Sequence, residues 1–132
     1  MTDRDAVLSQ NLEFYRAFST RDIGLMDRLW ARHAPVSCIH PGWPLVSGRD
    51  EVLRSWRSIL RNPAAPAVLC YEESATVYGE TALVTCEEEL EDGTLAAGNL
   101  FVRESGLWRL VHHQATPIQQ RRDQRRPPRQ AT

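Results

Sequence analysis

The hydrophobic period changes at Pro66, and this change limits the folds open to the chain more than any other feature. Before it, apolar residues recur every three or four positions, as on one face of a helix. After it they alternate, as in strands with one buried face. Four strands are predicted, at about 67–78, 81–90, 94–104 and 107–117. Tyr78-Gly79-Glu80, Glu91-Asp92-Gly93 and Ser105-Gly106 separate them, each short enough to be a hairpin turn. Helices followed by an antiparallel meander is an α+β order. A parallel nucleotide-binding sheet would need a helix between successive strands, and the chain has no Gly-rich phosphate loop.

The first half supplies the helices. Val7, Leu8, Leu12, Tyr15 and Phe18 predict an amphipathic helix over 5–20, with Phe14 beside the stripe. Thr20-Arg21-Asp22 interrupts it, and Asp22 is placed to cap a second short helix carrying Leu25, Met26, Leu29 and Trp30. Val36 to His40 alternates like a single short strand, with Val36, Cys38 and His40 on one face. Pro41-Gly42-Trp43-Pro44 must be a loop. A third helix runs through Leu60, with Ser47 as its expected cap, acids in its first turn, and Val52, Trp56, Ile59 and Leu60 as its apolar stripe.

Charge is segregated. All 16 basic residues are Arg, so no lysine is available for a Schiff base or a phosphate loop. Residues 119–132 hold five Arg and almost nothing apolar, and a disordered arginine-rich tail is expected there, after a domain spanning 1–118. The domain itself has 11 Arg against 16 acids, which gives no electrostatic footprint for nucleic acid. No apolar run is long enough to span a bilayer, and the polar N-terminus is unlike a secretory signal, so a cytoplasmic protein is expected. Cys38, Cys70 and Cys86 lie far apart with no CxxC spacing and are expected to be unpaired thiols.

Three segments carry a resemblance: FYRAFSTRD, VSCIHPGWPLVSGRDEVLRSW and NLFVRESGLWRLVHHQ. With the strands between them, residues 5–118 resemble the nuclear transport factor 2-like superfamily, and within it the SnoaL-like and ketosteroid-isomerase-like bacterial proteins. The resemblance implies a cone-shaped, curved antiparallel sheet packed on three helices around an apolar pocket, and a homodimer formed through the sheet. The isomerases of this group use a Tyr on the first helix, an Asp ending the first strand and an Asp on the penultimate strand. Phe14, His40 and Asn99 stand at those positions here. Such a fold hosts isomerases, dehydratases, cyclases, binding proteins and assembly domains alike.

Candidate site residues follow from both lines of argument. His40 ends an inward-facing strand; it is either a pocket base titrating near neutrality or an anchor for the loop after it. Asn99 shares a strand face with Leu95, Ala97 and Phe101, and a buried amide there must find a ligand or a protein partner. His112 and His113 point to opposite faces. A two-residue turn at Ser105-Gly106 would set His112 opposite Asn99, with Leu110 and Gln114 also facing the pocket; a slipped register would expose His113 instead. The expected acid–base set is therefore His40, Asn99 and His112. Phe14, Tyr15, Trp43, Trp56, Phe101 and Gln114 are the expected ligand walls. Of Glu87-Glu88-Glu89, an inward member is expected to pair with Arg103 or Arg109 as a structural carboxylate. No cofactor and no metal site is predicted.

Two functions compete. One is a small-molecule pocket protein doing acid–base chemistry of isomerase, dehydratase or cyclase type on an apolar substrate, without nucleic-acid or membrane partners. The other is a non-catalytic ligand-binding or dimerising association module. A cavity lined by His40 and Asn99 favours the first, and one plugged by Trp43 or Trp56 the second.

Overall fold

The computed structural model describes residues 1–119; the arginine-rich segment lies beyond them except for its first residue. Thr2 opens helix α1 (Asp3–Thr20) by a reciprocal capping box with Asp5. Arg21 ends it in the left-handed conformation, at φ 57°. As expected, the Asp22 carboxylate caps α2 (Ile23–Leu29), accepting from Leu25 N–H at 2.9 Å. α3 (Arg49–Arg61) differs from expectation: its N-cap is Gly48, with no side-chain cap. Ser47 cannot serve because it belongs to a second short strand, so the first half has two strands where one was predicted. These are β1 (Ser37–Ile39) and β2 (Val46–Ser47), an antiparallel pair around the proline-rich loop.

The second half matches the predicted meander closely. β3 (Leu69–Tyr78), β4 (Thr81–Leu90), β5 (Gly93–Glu104) and β6 (Leu107–Pro117) are paired antiparallel in sequence order. β1 joins the far side of β6 in parallel, giving one curved sheet ordered β2-β1-β6-β5-β4-β3. The three helices pack on its concave face, completing an α+β cone. Phe14, Met26, Trp30, Trp56, Phe101 and Leu110 are among the fully buried side chains of the core, each contributing about 1.5–3 kcal/mol.

Polar side chains lock the helical layer onto the sheet. The Arg49 guanidinium binds the Asp27 carboxylate at 2.9 Å and the carbonyls of Asp27, Trp30 and Ala31. The Glu104 carboxylate accepts from the N–H groups of Arg32, His33 and Ala34 at 2.7–3.0 Å. Those backbone bonds hold its pKa down at about 2 despite an opposing desolvation.

One irregularity decides which side chains enter the cone. Ser105-Gly106 forms the expected two-residue turn, with Glu104 opposite Leu107. Between the pairs Phe101–Leu110 and Leu100–His112, however, Val111 is an extra residue on β6. This β-bulge reverses the phase of the strand. Trp108 and Leu110 face inward before it, and His113 and Ala115 after it. His113 therefore lies opposite Asn99, while His112 and Gln114, expected in the pocket, face outward. Strict alternation counted from the turn could not reveal this.

The bulge is testable. Deleting Val111 removes the bulge yet leaves Leu110 opposite Phe101, His112 opposite Leu100 and His113 opposite Asn99, so the inward phase of His113 survives. A thermal melt of the deletion variant should show a loss of only about 1–3 kcal/mol, from the buried Val111 side chain, whereas inserting a Gly after His112, which turns His113 outward, should show a much larger loss.

Candidate functional site

The concave face carries polar groups that the apolar-pocket expectation did not include. Asn11 and Tyr15 from α1, Glu88 from β4, Asn99 from β5 and His113 from β6 are all buried. A buried polar group must be paired, and these pair with one another. Asn99 Nδ2 donates to Asn11 Oδ1 at 2.8 Å and to Tyr15 Oη at 3.2 Å. Its amide nitrogen is thus spent, so Asn99 Oδ1 accepts, and His113 Nδ1 donates to it at 2.5 Å. His113 then keeps Nε2 as an acceptor, 3.8 Å from Glu88 Oε2. Tyr15 Oη donates to that same carboxylate oxygen at 2.6 Å and lies 3.3 Å from Cys86 Sγ.

Burial sets the charges. Desolvation raises the Glu88 carboxyl to about 7, against a smaller opposing effect of the Tyr15 hydrogen bond. Desolvation also lowers His113 to about 3, helped by the nearby His40 and His112. The Glu88–His113 contact is therefore not an ion pair at neutral pH; it joins a half-protonated acid to a neutral imidazole. Tyr15 is raised well above its ordinary value, first by burial and then by Glu88, and remains a phenol.

A cavity of about 370 Å³ reaches this network from outside, between α1 and β3. Leu8, Asn11, Leu12, Tyr15, Cys70 and Glu73 line it. It exposes the two α1 members of the network, with Glu88 one hydrogen bond behind Tyr15.

His40 stands elsewhere. It is buried, and its Nε2 lies 2.9 Å from Ser55 Oγ. Ser55 donates its own proton to the Val52 carbonyl at 2.7 Å, so the imidazole donates to Ser55. The ring packs edge-on to Trp43 and Trp56, with both centroids at 4.8 Å, and touches Cys38 Sγ at 3.7 Å. Burial lowers its pKa to about 4. Trp56 fills the interior between His40 and His113, lying 5.7 Å from the latter ring, and packs edge-on against Phe14 at 5.4 Å. Trp43 is half exposed above His40. Neither His40 nor Trp43 lines the α1–β3 cavity, and Phe14, Trp56 and Phe101 are core residues behind the network.

On the outer face, His112 Nδ1 meets Ser37 Oγ at 2.7 Å and Nε2 meets Gln114 at 3.2 Å. Both residues line a second concavity of about 370 Å³, with Leu83, Ala96, Gly98 and Leu100.

Sequence reasoning missed Glu88 and Asn11 as site members, and offered His113 only as the slipped-register alternative to His112. Glu88 was expected to pair with an arginine. Arg103 instead binds Asp3 and Glu80, each at 2.8 Å, and lies over the Trp108 ring, while Arg109 donates to the Arg28 carbonyl. The detectable signal was alternation in β4: Cys86 and Glu88 share a face with Ala82 and Val84. Among the described residues, no three His, Cys, Asp or Glu side chains are grouped to hold a metal ion, and no helix is long and apolar enough to cross a membrane.

A concave face closed by three helices and an early strand parallel to the last defines the cone-fold class. Residues 7–119 match the SnoaL-like domain model, and the chain belongs to that family. A Streptomyces avermitilis structure of the NTF2-like family, described as a candidate dehydratase, is 36% identical, with a TM-score of 0.80 and coverage of 88% of this chain and 96% of that one. A candidate calcium/calmodulin-dependent protein kinase type II association domain from Thiobacillus denitrificans is 28% identical, with a TM-score of 0.75 and coverage of 85% and 94%. The F-box protein SKIP8 of Arabidopsis thaliana is 29% identical over 113 residues, covering 84% of this chain; the chain spans about half the length of that relative, 49%.

The shifts fix the pH dependence of stability. His40 and His113 have folded pKa values of about 4 and about 3, below the ordinary 6.5. The unfolded chain binds those protons first, so stability falls as pH drops from 6.5 toward 3. Glu88, raised from 4.5 to about 7, acts in the opposite sense, favouring the fold as pH falls from 7 to 4.5. Glu88→Gln keeps an acceptor for Tyr15 and removes the buried charge. It should be about 2 kcal/mol more stable than the parent at pH 8, near parity at pH 5, and should lose stability more steeply on acidification. Denaturant melts at pH 8, 6.5, 5 and 4 measure all three effects.

Proposed function

We propose that this SnoaL-like protein binds a small, largely apolar molecule in the α1–β3 cavity and performs acid–base chemistry on it through Tyr15 and Glu88. The carrying observation is the buried Glu88 carboxyl, titrating near 7, hydrogen-bonded at 2.6 Å to a tyrosine that lines an open cavity. A proton carrier works best when its pKa lies near the working pH. Tyr15 can pass its proton to a ligand oxygen while taking one from protonated Glu88, and the reverse transfer serves as a base step. Asn99 orients the phenol, and neutral His113 holds Asn99. Asn11 has its carbonyl committed to Asn99, leaving its amide nitrogen to donate to a ligand. Isomerisation or dehydration of a carbonyl- or hydroxyl-bearing substrate fits this set, and the likeness to a candidate dehydratase supports that class. In this reading His40 stabilises the core instead of acting as the base.

Screening apolar ketones, enones and hydroxy ketones by thermal shift, then assaying binders for turnover, tests the reading. Glu88→Gln and Tyr15→Phe should each lose 100-fold or more in kcat, with the parent's pH profile inflecting near 7. His40→Asn should retain kcat within a few-fold. Full activity in Glu88→Gln, with loss in His40→Asn, would transfer the role to His40.

Self-association through the outer sheet face is a second and compatible reading. It is favoured by the concavity of Leu83, Ala96, Gly98 and Leu100, and by the 28% identical association domain. An apolar sheet face needs cover, which a second copy supplies. Leu100→Arg should convert a dimer to a monomer by light scattering at micromolar concentration without disturbing ligand binding. A cytoplasmic location suits the three unpaired thiols.

A further inference from the structure

Cys70 and Cys86 have no part in the proton chemistry, yet they sit together at the floor of the cavity. Cys70 is opposite Glu88 across the β3–β4 ladder, and Cys86 lies two residues from Glu88 on the same inward face. The two cysteines are therefore diagonal neighbours on one face of adjacent strands. The two thiols lie close enough to couple electrostatically. β3 is bulged directly opposite Cys86: register shifts between Tyr71 and Ser74, and Glu72 takes a φ of 61°. Such a bulge lets one strand adjust against its neighbour. Cys70 lines the cavity, and Cys86 is the buried thiol behind it, touching Tyr15 Oη at 3.3 Å.

We propose that Cys70 and Cys86 are a modification site, a thiol pair that a hydroperoxide entering the cavity converts to an intrachain disulfide. Cys70 is assigned the attack, because it lines the cavity that the peroxide enters, while Cys86 is buried behind it. The Cys70 sulfur attacks one peroxide oxygen. The O–O bond breaks, a Cys70 sulfenic acid forms, and the other oxygen leaves, carrying the thiol proton, as water from hydrogen peroxide or as an alcohol from an organic hydroperoxide. The Cys86 sulfur then attacks the sulfenic sulfur; the S–O bond breaks, the S–S bond forms, and a water leaves. Two thiols lose two electrons and two protons, and a dithiol reductant reverses the change. Oxidation removes the Cys86 thiol contact with Tyr15 and cross-links β3 to β4 across the cavity floor.

Cys38 is an internal control. It is fully buried on β1, separated from β4 by β6 and β5 in the sheet, and burial pushes its thiol to about 12.

The test treats the full chain with hydrogen peroxide, quenches it, alkylates under denaturing conditions, and reads intact mass, a non-reducing gel and a peptide map. The expected product is a single chain lighter by two hydrogens, with one alkylated cysteine, Cys38, a linked Cys70–Cys86 peptide pair, and full recovery on adding dithiothreitol. Cys86→Ser should give no disulfide and a Cys70 sulfenic acid that dimedone traps. The parent's peptide map keeps the test decisive if that variant folds poorly. Oxygen adducts on single cysteines without a linked pair, a cross-link between chains, or Cys38 reacting as fast as Cys70 would overturn the proposal. The acid–base reading is untouched by either result, since it rests on Glu88 and Tyr15 in the reduced protein.

Discussion

The hydrogen bond from His113 Nδ1 to Asn99 Oδ1 holds the interior together. Asn99 sits at the centre of the sheet, fully buried. It spends its carbonyl on β6 and its amide nitrogen on the two polar residues of α1. Without His113, that carbonyl would be a desolvated acceptor with no donor, a cost of about 1–3 kcal/mol. Without Asn99, the groups of Asn11, Tyr15 and His113 that it satisfies would face one another across an apolar core. One amide side chain thus ties β5, β6 and α1, and through Tyr15 it reaches β4.

The bulge at Val111 exists in the service of this contact. A regular β6 would present His112 to Asn99 and turn His113 outward, since the turn at Ser105-Gly106 is of the expected length. The extra residue corrects the phase beyond Leu110, so that the strand meets two demands. Its first part supplies Trp108 and Leu110 to the helical layer. Its second supplies His113 to the polar network and leaves His112 on the outer face beside Gln114.

One tryptophan-rich region and one polar region divide the cone. Around His40, the packing of Trp43, Trp56, Cys38 and Ser55 makes a tight aromatic plug, which lowers the imidazole pKa by excluding water. Around Glu88, the same exclusion of water raises a carboxyl instead. Desolvation disfavours the charged form in both cases, so the acid moves up and the base moves down. Only the acid arrives near neutrality, which is why the proton chemistry is assigned to the α1–β3 side of the cone and not to the loop side.

The sequence by itself determined the α+β class, the three helices and the four strands of the meander, though not the short β2, because helical and alternating periods are local properties of consecutive residues. It also identified Asn99 as a buried amide needing a partner, from its place between Ala97 and Phe101 on one strand face. It could not name that partner. A bulge shows no marker in the run Leu110-Val111-His112-His113; it is chosen by which phase buries and pairs more side chains against the neighbouring strands. The fate of Glu88 was equally out of reach. A carboxylate within three consecutive glutamates reads as a solvated charge or half of an arginine pair. It became a near-neutral acid because the helical layer buried it, while Arg103 paired with Asp3 and Glu80 and Arg109 with the Arg28 carbonyl. Those choices depend on residues 70 or more positions apart meeting in space, and only the tertiary structure brings them there.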